Sequence, residues 1–323
     1  MQSISSLVAH HLHVRATVTE HMELNDHAGA ALRGAFFEAL WGRFCVNKDV
    51  QTCAECPLVN ACPVSSLVAP LRDEAPRGRD VPRPYTVRPP VDHTRIFKPG
   101  DSLSFGLTLF GCRLDLFPYV AMALHNMALA GLGRRTQENN WRRGRFVVDE
   151  VQAINLLSGD KQSIQPAGSN RIAVPDLPTT WADAEALAAK LSPNQVTLRF
   201  LTPLRLTDQK KLVKHSLLHP LVERLLERQD FLAREYGGQP FERELREELI
   251  EMAGTIEVFH DKTYWAEVSS YSRRQGKSTP IGGLLGEITF GGNLQPLLPL
   301  MAWGTVIQVG KDTTKGNGVY TIQ

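Results

Sequence analysis

The C-terminal run Val309-Gly310-Lys311-Asp312-Thr313-Thr314-Lys315-Gly316-Asn317-Gly318-Val319-Tyr320 constrains this chain more than any other stretch. Its three glycines and two lysines sit between what read as two short strands. Glycines let a backbone approach a polyanion closely, and the lysines neutralise it. The run lacks the Gly-Lys-Ser/Thr ending that opens a helix in a Walker loop, and it lacks the spaced glycine triplet of a dinucleotide fold. A phosphate backbone is the natural ligand. The plain alternative is a glycine-rich hairpin in a strand-rich domain.

At 323 residues the chain is long enough for two ordinary domains, each with its own core. Its formal net charge is only +2, so any nucleic-acid surface has to come from local clustering. No run of about twenty apolar residues occurs, and Met1 to Ser6 is not a basic start followed by an apolar core. The expectation is a soluble cytoplasmic protein with no membrane partner. Four of the five cysteines form the cluster Cys45-x7-Cys53-x2-Cys56-x5-Cys62. Without a leader this argues for metal over disulfides, and four thiolates are the full tetrahedral set of a structural zinc. An iron–sulfur cluster or bare thiols are the alternatives. A closed ligand set argues against catalysis at the metal, so its expected role is to pin a loop. Cys112 lies alone in an apolar strand.

Residues 7 to 20 alternate as a first strand, and Asn25 or Asp26 can cap a helix with Ala28, Ala31, Leu32, Ala35, Phe36, Ala39 and Leu40 on one stripe. The cysteine segment follows. Residues 64 to 100, rich in proline and arginine, read as strand edges and loop. Leu103 to Leu116 reads as a strand, and Pro118 to Gly131 as a helix. The same grammar recurs downstream: strand 196 to 206, helices 217 to 236 and 241 to 254, strands 256 to 270 and 286 to 290. Thr179 to Leu191 is a short helix in the connection. The expected fold is α+β, two tandem ferredoxin-like domains at 1–155 and 196–323 joined through 156–195, with a cysteine knuckle at 45–62 after the first helix. The open sheet face of such a domain is an RNA platform.

The strongest basic cluster is Arg134, Arg135, Arg142, Arg143 and Arg145 around Glu138, with Trp141 available to stack on a base. It reads as a groove for an RNA backbone, or more plainly as a solvated loop. Arg273, Arg274 and Lys277 form a second cluster, and Lys210, Lys211 and Lys214 a third. His10, His11 and His13 alternate on a strand and read as a mixture of exposed and half-buried imidazoles. His215 and His219, four apart on one helical face, lack further ligands and read as surface residues or RNA contacts.

Ordered features carry a family resemblance. They are Tyr271-Ser272-Arg273-Arg274-Gln275-Gly276-Lys277-Ser278, then Ile281-Gly282-Gly283-Leu284-Leu285-Gly286-Glu287-Ile288, Trp303-Gly304 and the final glycine run. Upstream are Ala31-Leu32-Arg33-Gly34-Ala35, Phe97-Lys98-Pro99-Gly100-Asp101 and Phe105-Gly106-Leu107-Thr108-Leu109. The series resembles the CRISPR-associated repeat-processing endoribonucleases of the RAMP superfamily over most of the chain, least at about 155 to 195. The resemblance implies a metal-independent endoribonuclease that cuts CRISPR precursor RNA by 2′-hydroxyl attack. Its products carry a cyclic phosphate and a 5′-hydroxyl, and it retains the mature guide RNA beside other CRISPR-associated subunits. A guide-RNA-binding subunit without catalysis is the alternative.

The implied RNA contacts are the arginine cluster, Arg33, Lys210, Lys211, Arg273, Arg274, Lys277 and the glycine-loop residues Gly310, Lys311, Lys315, Gly316 and Gly318. Relatives commonly have glycine where this chain has Asp312 and an apolar residue where it has Lys315. Such catalysis needs a base, an acid and a cation. His27, at the start of the first helix and beside the expected interdomain cleft, is the first candidate. His93, near Tyr85 and Lys98, is the second. Many relatives carry a histidine further along the first helix, where this chain has Phe36, Phe37 and Glu38.

Overall fold

A computed structural model describes residues 6–71, 81–92, 94–215, 217–272 and 276–323. The chain forms two compact units. One comprises His10–Ile154 and Lys161–Leu177; the other comprises the described residues through Ala9, Asn155–Asp160 and Pro178–Gln323. The segment 156–195, read from sequence as a connection, is thus divided between them.

The first unit is built on a five-stranded sheet ordered Tyr85–Arg88, Ser102–Phe110, Ala9–Val18, Phe146–Ile154, Lys161–Gln165. Alternation along Ala9–Val18 sends Leu12, Val14, Ala16 and Val18 into a core shared with the helices Ala28–Phe44 and Phe117–Ala130. Leu32, Ala35, Phe36, Ala39 and Leu40 supply the first helix's buried stripe. Each of its fully buried Leu or Phe side chains contributes about 1.5–3 kcal/mol. The second helix carries Pro118 in its first turn, where the missing N–H costs nothing, and stops at Gly131, whose φ of +81° suits glycine.

The second unit repeats the order. Its sheet runs Glu257–Asp261, Gly283–Gly291, Gln195–Leu204, Tyr320–Ile322, all antiparallel, with Tyr264–Ala266 also paired to Gly283–Gly291. Helices Leu218–Tyr236 and Leu298–Ile307 bury Leu221, Leu225, Trp303 and Val306. Trp303 donates from Nε1 to Gln229 Oε1 at 2.6 Å, which satisfies its one polar atom inside the core. In both units the principal elements follow strand, helix, strand, strand, helix, strand, and the sheet places them second, third, first, fourth.

Several local expectations are corrected. The strand from 102 stops at Phe110 and a 3-10 turn covers 111–116, so Cys112 is exposed in a turn and not in an apolar strand. Residues 63–68 form a short helix started by Pro63. His11 is buried and its Nδ1 lies 2.9 Å from Thr108 Oγ1; burial, with Arg88 and His13 nearby, holds its pKa well below the usual value. His10 is buried too, so neither imidazole belongs to an exposed tract. The helix expected to carry His215 and His219 on one face begins only at Leu218, leaving His215 outside it. The glycine run is preceded by the helix Leu298–Ile307, not by a strand.

Candidate nucleic-acid interface

In the first unit, the segment from Glu20 to His27 gathers two separate loops. Met22 and Glu23 pair with Phe97 and Ile96, Leu24 N–H donates to Arg95 O at 2.7 Å, and Asp26 forms an ion pair with Arg95. Lys98 stands exposed in the turn just beyond. On the other side lies the hairpin formed by Leu132–Thr136 and Arg142–Gly144. Its close approach depends on glycine, since a Cβ at Gly133 or Gly144 would overlap the carbonyls of Glu23 or His21.

Most of the hairpin's arginines are held by acids. Arg134 reaches Glu23 at 3.0 Å and Asn25 at 2.7 Å; Arg143 grips Glu38 through two bonds of 2.6 and 3.2 Å; Arg145 binds Glu20 at 2.8 Å through Nε. Arg135 and Arg142 are exposed and form no salt bridge among the described residues. Between them the turn places Asn140 and Trp141 both in the left-handed region, at φ +51° and +60°. Such a φ is rare for a bulky side chain and points to an imposed conformation. It is fixed by Trp141 N–H donating to Thr136 O at 2.8 Å, and it leaves the indole 66% exposed in the turn between Arg135 and Arg142.

His27 is the N-cap of the first helix: Ala30 N–H donates to its Nδ1 at 3.1 Å, and the residue is 6% exposed. An Nδ1 that accepts cannot carry the proton, so the neutral ring is protonated on Nε2. This tautomer suits a hydrogen-bond donor to a phosphate oxygen better than the general base expected from sequence. Tyr85 lies in the core with its ring edge-on to Phe36 at 5.1 Å, and burial raises its pKa against the opposing influence of Arg33 and Arg83. It is not presented to solvent as a catalytic phenol. Arg33 stacks over Phe37 at 5.6 Å. His93, Arg273 and Arg274 lie outside the described residues.

In the second unit the final loop does more for its own chain than its sequence suggests. Gly310, Gly316 and Gly318 have φ of +89°, +83° and +73°. A Cβ at Gly310 would overlap Arg205 O, and one at Gly318 would overlap Val309 O. Asn317 is buried and donates to Ile281 O at 2.9 Å. Lys315 is tied to Asp312 at 2.8 Å, whereas Lys311 is exposed. Next to the loop is a group that sequence reading missed. Lys214 Nζ and the Arg205 guanidinium lie 5.0 and 5.8 Å from the Trp265 ring centroid, and Arg205 donates to Gly282 O at 2.8 Å. Lys210 and Lys211 sit in the hairpin closed by Thr207–Leu212 and Asp208–Lys211 pairing, and Lys277 is exposed on the strand Lys277–Pro280. The second unit thus sets cations over an indole, and the first carries an exposed indole in the same turn as two exposed arginines, the elements of a single-strand grip.

The four clustered cysteines form no disulfide among the described residues, and all are half-buried. Cys45 ends the first helix, Cys53 and Cys56 close one turn through Cys56 N–H to Cys53 O at 3.2 Å, and Cys62 precedes the helix Pro63–Val68. Cys56 Sγ accepts from Asn47 Nδ2 at 3.4 Å. Among the described residues no three His, Cys, Asp or Glu side chains are placed together to hold a metal. No helix among them is long and apolar enough to cross a membrane.

Residues 198–320 match the family model of the CRISPR-associated endoribonuclease Cas6, and residues 7–177 match a model described as an N-terminal domain. Among solved structures the chain is similar to a Cas6 product complex, at 18% identity and TM-score 0.57 over 98% of this chain and 99% of that one. Thermus thermophilus Cas6 is matched at 18% identity and TM-score 0.54 over the same shares. A partial Cas6-RT-Cas1–Cas2 complex is matched at 13% identity and TM-score 0.60, over all of this chain and 47% of that one. At these identities the likeness is one of fold. No curated protein matches the chain.

Proposed function

The chain belongs to the CRISPR-associated repeat-processing endoribonucleases of the RAMP superfamily, and from that premise we propose that it cuts CRISPR repeat transcripts without a catalytic metal and keeps hold of the guide RNA. In this reading each unit is a ferredoxin-like domain, which the shared strand order supports. The 2′-hydroxyl attacks the adjacent phosphorus and gives up its proton, the bond from phosphorus to the 5′ oxygen breaks, and that oxygen takes up a proton, so a 2′,3′-cyclic phosphate and a 5′-hydroxyl result. His27 Nε2–H donates to the phosphorane oxygen as charge develops there, and Lys98 supplies a cation. The protein works in the cytoplasm alongside other CRISPR-associated subunits. The observation that carries the RNA reading is the hairpin tip, where an exposed, conformationally constrained Trp141 stands beside Arg135 and Arg142.

The burial of His27 and its use as a cap favour the second reading, a guide-RNA-binding subunit that does not cut. Purified protein incubated with end-labelled repeat RNA in EDTA separates the two. Cyclic-phosphate products support the nuclease, and tight binding with intact RNA establishes the subunit.

Charge pairing sorts the arginines. The double variant Arg135→Ala, Arg142→Ala is expected to lower the slope of log affinity against log salt by roughly 0.7–0.9 for each phosphate that is no longer neutralised. Arg143→Ala instead strands Glu38 and weakens the first unit. A double variant with wild-type affinity and slope would reduce the tip to a solvated turn.

Zinc remains a proposal. Four thiols on a short segment can be drawn together by the ion itself, because metal binding and local folding are coupled. Protein purified without added metal is expected to contain about one zinc per chain. A metal-free protein of normal stability would show that the thiols stand alone.

A further inference from the structure

The second unit's sheet has one face against its helices and one face open. Core positions Val196, Leu198 and Phe200 alternate with Gln195, Thr197 and Arg199, and Phe290 and Ile288 alternate with Gly291, Thr289 and Glu287. On the second face half-buried Thr197 and buried Thr289 share a hydroxyl–hydroxyl bond of 2.8 Å, which uses their hydroxyls internally. Arg199 lies 3.6 Å from Glu287, and both are exposed. At the sheet edge, the register of Glu257–Asp261 shifts between Val258 and His260, and the extra residue there is Phe259. The tip of its ring occupies the space where Gly291 would carry a Cβ, yet the side chain is 49% exposed. A bulge that re-aims one aromatic side chain, and a glycine that lets it lie down on the sheet, are two independent local devices with the same result.

We propose that this open face binds an unpaired RNA nucleotide, whose base stacks on Phe259 while Arg199 and His260 meet its phosphate or base edge. The inference rests on the RNA-processing reading above and adds to it a single-strand subsite on the sheet itself. An exposed ring, a guanidinium and an imidazole form a mixed surface rather than a continuous apolar patch, which suits a nucleobase more than a packed protein face. The charge of Arg199 is already balanced by Glu287, so stacking carries more of the affinity here than counterion release.

The test uses the full chain with fluorescent ten-nucleotide oligoadenylate, oligouridylate and a repeat RNA. Phe259→Ala is expected to weaken oligonucleotide binding about tenfold, the scale of removing one base stack, with little change in salt slope. Phe259→Trp should retain binding. Gly291→Ala keeps the aromatic ring but pushes it off the sheet, and is expected to act like Phe259→Ala; unfolding midpoints near wild type confirm that both variants are folded. Wild-type affinity in folded Phe259→Ala and Gly291→Ala, with repeat binding intact, would overturn the subsite alone. Loss of self-association or of a protein partner in Phe259→Ala, at unchanged RNA affinity, would overturn it in favour of a protein contact at this edge. Absence of RNA binding by the wild type would remove the underlying reading and the subsite with it.

Discussion

His27→Asn is expected to slow single-turnover cleavage by on the order of a hundredfold or more, the scale of losing one preorganised donor at the reacting phosphate. Asparagine is chosen because it is itself a strong N-cap, so its side-chain oxygen can still accept from Ala30 N–H. Alanine would remove the cap as well, at about 1 kcal/mol, and confuse helix fraying with altered chemistry. Affinity for an uncleavable 2′-deoxy substrate should stay near wild type. If His27→Asn cuts at the wild-type rate while His27→Ala lowers only the unfolding midpoint, His27 is a cap and nothing more. The role then passes to His93.

Gly318→Ala is expected to destabilise the second unit by about 4 kcal/mol or more, among the largest effects of any single change in a turn. Two causes add. A φ of +73° costs an L-residue roughly 1–2 kcal/mol, and the new Cβ would overlap the Val309 carbonyl oxygen, which belongs to backbone and cannot rotate away. Urea unfolding measures the destabilisation. Lys311→Ala provides the contrast, with lower RNA affinity at an unchanged midpoint, since Lys311 is exposed. A Gly318→Ala protein that unfolds like wild type but fails to bind RNA would return this glycine to the role of ligand approach.

The contrast explains what was legible. Glycine density in the final run was plain, but a sequence does not say which way the missing Cβ faces. At Gly310 and Gly318 it faces the protein's own carbonyls. Strand–helix alternation was readable in both halves because apolar periods of two and of three to four are local. The short helix Pro63–Val68 was not, since proline is as common in loops as in a first turn. The Arg205, Lys214 and Trp265 group was invisible for a different reason. Leu284 pairs with Leu204 on one side and with Trp265 on the other, and that register alone brings residues sixty positions apart to one place. The Gly282-Gly283 pair was its one sequence trace, as both glycines admit neighbouring backbone. Burial of His11 was missed because alternation tells which side chains share a face, not whether that face is covered.

Neither unit is a continuous piece of chain. Ala9 exchanges two backbone bonds with Thr179, at 3.0 and 2.7 Å, and belongs with residues made after the first unit is complete. At ribosomal speeds of about 5–20 residues per second, the leading segment waits on the order of ten seconds or more for its partner to emerge. During synthesis the apolar Leu7 is thus without the burial it has in the finished protein, and the second unit can mature only once its last strand, Tyr320–Ile322, has left the ribosome.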